Sequence, residues 1–104
     1  MPPFPRRVST RWAGFSVVDL DFARRATGLT LEQLLAVPGV EQMTRVQAGV
    51  CEQAVRIPVE VLEAAAQNRE ALAHAVADHT ANATSQAAFR ARIREILDAE
   101  TPTP

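Results

Sequence analysis

From Pro58 to Asp78 the chain contains almost nothing that interrupts a helix and very little that wants water on more than one narrow side. At 100° per residue, Val61, Ala65, Asn68, Leu72, Val76 and His79 fall on one stripe. Glu60, Glu63, Gln67, Glu70, His74 and Asp78 form a narrow polar stripe, and much of the remaining surface is alanine. A helix with so narrow a polar face needs neighbours on several sides. In a chain of 104 residues some of those neighbours are expected from a second subunit. This helix is the expected spine of the fold.

Punctuation divides the rest. Residues 1–14 hold three prolines, three arginines, Phe4, Trp12 and Gly14, and read as an extended N-terminal arm. Over residues 15–27 two patterns compete. Val18-Asp19-Leu20-Asp21-Phe22 alternates as a strand does, while Ser16 with Asp19, Arg24-Arg25 and the stop at Gly28 fit a helix. The reading adopted is helix. Thr30 with Gln33 forms a capping box ahead of Leu31, Leu34 and Leu35, and Pro38-Gly39 closes that helix. Met43, Val46, Val50 and Cys51 recur at helical intervals and predict a helix over Val40–Val55. Ile57-Pro58 is a boundary, with Pro58 suited to a first helical position. Poor helix formers at Thr80–Ser85 predict a break. A last helix follows over Gln86–Ala99, with Phe89, Ile93, Ile96 and Leu97 inward and an Arg94–Asp98 pair outward. The expected fold is all-α: an arm over 1–14, one domain of four to five helices over 15–100, and a disordered tail over 101–104.

Composition removes several functions. All eleven basic residues are arginine, so no lysine is available for a Schiff base or a phosphate loop. There is no tyrosine, and nineteen alanines suggest a GC-rich, actinobacterial-like bacterial genome. Cys51, His74 and His79 are the only soft or imidazole ligands. The two histidines lie about 140° apart around one helix, which denies them a shared metal. Cys51 reads as a small buried apolar residue, and His74 as part of a solvated cluster with Glu70 and Asp78. No carboxyl sits isolated in an apolar stretch, the setting that tunes an acid catalyst. The chain by itself is therefore expected to carry no catalytic residue and no metal. No apolar run approaches the ~20 residues that span a bilayer, and the expected setting is cytoplasmic with a reduced thiol.

Gly28-Leu29-Thr30-Leu31-Glu32-Gln33-Leu34, Pro38-Gly39-Val40 and Met43 to Gly49 together resemble the helix-turn-helix of Cro-type phage repressors. Pro58 to Ala66 is similar to the helix that follows in that family. The chain departs from the pattern at Pro38, in a segment between Val40 and Met43 that is about two residues short, and in a long loop over Val50–Ile57. The resemblance implies transcriptional regulation, with Gln42, Arg45 and Gln47 on the DNA-reading helix. Charge counts against it, since residues 26–66 set Arg45 and Arg56 against five glutamates, and DNA binding leans on phosphate neutralisation.

The arm supplies the other expectation. Phe4, Arg6, Arg7, Arg11, Trp12 and Phe15 bring together the residue types enriched at interface hot spots. They point to a small non-catalytic subunit that docks on a larger protein or on itself, with nucleic acid disfavoured as a partner and no membrane expected. In size and helical make-up the chain is similar to the small subunits of two-subunit bacterial flavin oxidases of the cyclodipeptide oxidase type. That likeness implies FMN held through a partner subunit.

Overall fold

The computed structural model describes residues 12–99. Its elements run β1 (Phe15–Asp19), α1 (Leu20–Thr27), α2 (Leu31–Ala36), β2 (Glu41–Gln47), β3 (Val50–Pro58), α3 (Val59–Gln67), α4 (Arg69–Asn82) and α5 (Gln86–Ala99). The three strands form one antiparallel sheet in the order β1-β3-β2. The fold is therefore α+β, and the all-α expectation is corrected at two places.

The first is residues 15–19, expected in a helix. Phe15, Val17 and Val18 are aromatic or β-branched, and their alternation pairs them with β3 from Phe15↔Pro58 to Asp19↔Ala54. The helix begins only after Asp19, whose carboxylate accepts the Phe22 N–H at 3.4 Å. It stops where expected, at Gly28 with φ +72°, whose N–H reaches the Arg24 carbonyl at 2.9 Å.

The second is Val40–Val55, expected as a helix and found as the β2–β3 hairpin. Residues at helical spacing here are also residues on alternating strand faces. The deciding signal is Ala48-Gly49, a two-residue turn with φ of 55° and 80°. Two positive φ values give a turn of the I′ kind, whose twist matches a hairpin. Glycine accepts that conformation freely, and Ala48 does so at a cost.

The spine is broken once more than expected. Asn68 lies on its apolar stripe but leaves the helix, caps α4 by accepting the Ala71 N–H at 3.0 Å, and so separates α3 from α4. The break predicted at Thr80–Ser85 falls at residues 83–85, and α5 occupies Gln86–Ala99 as read. Within the chain α3 packs on α1, α4, α5 and β3, and α4 on α2, α3 and α5. Leu34, Val55, Ile57, Val61, Leu72, Val76, Phe89 and Ile93 fill the core between sheet and helices. No helix among the described residues is long and apolar enough to cross a membrane.

Glu60, placed on the polar stripe by periodicity, is 8% exposed. Its Oε1 accepts the Ala13 N–H at 2.6 Å and its Oε2 lies 3.5 Å from Arg94. The Val59 N–H in turn donates to the Gly14 carbonyl at 3.0 Å. The segment before β1 is thus strapped across the start of α3, where a carboxylate also complements the helix dipole. Arg94 takes Glu60 as its partner, where Asp98 had been expected.

Candidate functional site

Two short helices joined by Gly28-Leu29-Thr30 form the most sharply specified local structure. Thr27 Oγ1 donates to the Ala23 carbonyl at 2.6 Å and accepts the Leu29 N–H at 3.2 Å. The capping box read from Thr30 and Gln33 is present in both directions, at 3.2 and 2.9 Å. Arg69, from the start of α4, lies against Gly28 and donates from Nη2 to the Arg25 carbonyl at 2.6 Å. Leu29, Leu34 and Val37 anchor the unit from beneath. The turn is therefore held from both sides, and α2 presents Glu32 and Leu35 outward. Arg24 and Arg25 are exposed at the end of α1.

The hairpin flanks this unit. On one face Arg45 lies opposite Glu52, 3.2 Å apart, and Glu41 opposite Arg56, 4.0 Å apart. The Arg56 guanidinium also sits 3.7 Å from the centre of the Phe15 ring. On the other face Gln42 Nε2 donates to Gln53 Oε1 at 3.1 Å. Beyond these pairs the hairpin projects outward, leaving Val46 67% and Val50 58% exposed.

The residues expected to act together are placed differently. Gln42, Arg45 and Gln47 lie on strand β2, not on a helix, and strand alternation puts Gln42 on the face opposite the other two. Trp12 packs edge-on to Phe89, with ring centres 6.2 Å apart, beside Gly39 and below Arg90. With Phe15 engaged by Arg56, two of the aromatics expected to meet a partner are used within the chain. Phe4, Arg6, Arg7 and Arg11 lie outside the described residues. Arg25 and Arg69 at the turn, and Glu60 beneath the strap, are not among the residues the sequence points to as a site. Arg24-Arg25 had a visible signal, two adjacent cations at a helix end, while the Arg69 and Glu60 contacts span 44 and 47 residues and have no local signature.

Cys51 is exposed on β3, against the expectation of burial, because the hairpin end extends past the core. His74 is exposed, and His79 Nδ1 lies 2.9 Å from Thr84 Oγ1 with its ring against Phe89. Among the described residues no group of three His, Cys, Asp or Glu side chains is placed to hold a metal ion. The shallow groove between α4 and α5 is lined by Asp78, Thr84, Arg92 and Glu95. Compared with protein families, curated proteins and solved structures, the chain matches none.

Proposed function

We propose that this chain is a DNA-binding module of the transcriptional-regulator kind, built from a helix-turn-helix unit with the β2–β3 hairpin beside it as a wing. The observation that carries the reading is the order and pairing of the elements. A strand leads into two short helices joined through a left-handed glycine, and a hairpin follows whose second strand pairs with the first. In helix-turn-helix proteins the second helix enters the major groove and the first crosses the backbone. The reading rests on this arrangement, so direct binding is the test.

The distribution of charge supports it more than the net charge does. Residues 1–58 carry seven arginines against five acids, whereas residues 59–104 carry four against seven. The cations for phosphate contact are Arg24 and Arg25 at the end of α1, Arg45 on the hairpin, and Arg6, Arg7 and Arg11 in the preceding segment. If all engage, log K should fall with log salt at a slope of about −5. Fluorescence anisotropy with duplexes selected from a random pool, at about 50 and 200 mM salt, measures that slope. Replacing Arg24 and Arg25 by alanine should reduce it by about two. Failure to bind any duplex at about 10 μM protein and 50 mM salt would refute the reading, because non-specific binding alone reaches that range.

A second reading is favoured by one observation, the acidic and apolar outer side of α2, where Glu32 and Leu35 stand with no arginine. Such a face suits a protein surface better than phosphates. On that reading the chain is a small non-catalytic subunit, with any flavin held by a larger partner. The native mass of the protein from its own host, with co-purifying chains identified, separates the two. A stoichiometric larger partner favours the subunit, and its absence favours DNA.

A further inference from the structure

Among the described residues nothing pairs with the outer edge of β2, and its sequence is complementary to itself. Because Gln47 and Val50 close a two-residue turn, the odd-numbered residues of β2 direct their N–H and C=O groups to β3. Gln42, Thr44 and Val46 therefore direct theirs away from the sheet, and all three residues are exposed. β3 is the only element with which β2 makes an extensive contact among the described residues. Such an edge is a template for another strand.

We infer that this edge pairs antiparallel with the same edge of a second copy, about a two-fold axis at Met43. In that register Gln42 faces Thr44 of the other copy, so outward N–H and C=O groups meet. Met43 faces its own equivalent, and Glu41 faces Arg45 in both directions. The charges on one face of the joined sheet then run Glu52, Arg45, Glu41, Arg56 across the junction, alternating in sign through both existing ion pairs. Opposite charges directly across a strand pair are favourable and like charges are not. Registers centred on Gln42 or Thr44 also satisfy the backbone but set Glu41 or Arg45 against Met43, so charge selects among them.

The groups concerned have spare capacity. Arg45 gives one Nη to Glu52, and its side chain remains 37% exposed. The Glu41 side chain is 68% exposed and only 4.0 Å from Arg56 at its nearest. An edge defended against pairing carries charge of one sign or a proline, whereas Glu41 and Arg45 have opposite signs and are equally distant from Met43. The edge of β1 has no such symmetry, since pairing about Val17 would set Phe15 against Asp19.

Sedimentation equilibrium on the full chain, without DNA, should give a dimer. Thr44→Pro removes an outward N–H and leaves the ladder to β3 intact, and it should weaken association at least tenfold. Glu41→Arg and Arg45→Glu should each do the same, and an equimolar mixture should restore a one-to-one heterodimer, because each junction contact is then again of opposite sign. In a Cys51→Ser background, Met43→Cys should form an intermolecular disulfide under mild oxidation. A monomer at every concentration overturns the inference. So does a dimer unaffected by Thr44→Pro and not cross-linked through position 43. Neither result bears on DNA binding by one copy, so the two proposals fail separately.

Discussion

Replacing Glu60 by alanine tests the strap over α3 most directly. The Ala13 N–H to Oε1 bond, at 2.6 Å, has an ionic acceptor that is almost wholly buried. Bonds of that kind contribute about 1.5–3 kcal/mol. The Arg94 contact is longer, 3.5 Å, and its arginine is 47% exposed, so solvent screening holds it to about 1 kcal/mol or less. Glu60→Ala should therefore cost about 3 kcal/mol, Arg94→Ala less than about 1, and Glu60→Gln, which keeps an acceptor, an intermediate amount. Urea titration gives the three values from midpoints at constant m. A loss of about 3 kcal/mol corresponds to a Tm lower by roughly 15 °C in a domain of this size. Because Trp12 adjoins Ala13, the folded Glu60→Ala protein should also emit further to the red. If Glu60→Ala costs no more than Arg94→Ala, the strap contributes nothing and the reasoning fails.

Four further outcomes follow from local geometry. Ala48→Asn should raise stability by about 0.5–1 kcal/mol, since Ala48 has φ 55° and asparagine tolerates that region; an unchanged urea midpoint would count against the turn assignment. Gly39→Ala should cost about 2 kcal/mol or more, because φ is +89° and the new Cβ would stand 3.0 Å from Trp12 Nε1; retained stability with unshifted tryptophan emission would contradict the packing. Thr30→Ala should cost about 1 kcal/mol by removing the cap of a six-residue helix, checked by denaturation. Cys51 should react with a thiol reagent in the native protein as fast as in the unfolded chain, and protection would show the hairpin end to be covered.

What could be read from the sequence was what lies within a few residues. The Gly28 stop, the Thr30–Gln33 box and the bounds of α5 depend on neighbours three or four positions apart, and the structure has them as read. The sheet depends on partners far apart, Phe15 with Pro58 and Glu41 with Arg56, which no local window contains. Val46 and Val50 fit helical and strand periods equally, and the decision rested on Ala48-Gly49, a turn pair without the asparagine that usually announces it. The apolar excess of the spine was legible, but the source of its covering was not. The sequence points to a second subunit for part of it, and within the chain α1, α2, α5 and β3 pack on the two helices of the spine.

Two junctions in the fold have no loop. Asp19 is both the last residue of β1 and the cap of α1, and Pro58 is both the last residue of β3 and the cap of α3. A rotation of the hairpin therefore has no slack segment in which to dissipate. It must be passed through Pro58, whose φ is held by its ring, into the helix on which most of the others lean. A lever rather than a flap describes this hairpin. Load on its tip should alter amide exchange along α3 before it loosens the ladder between β2 and β3.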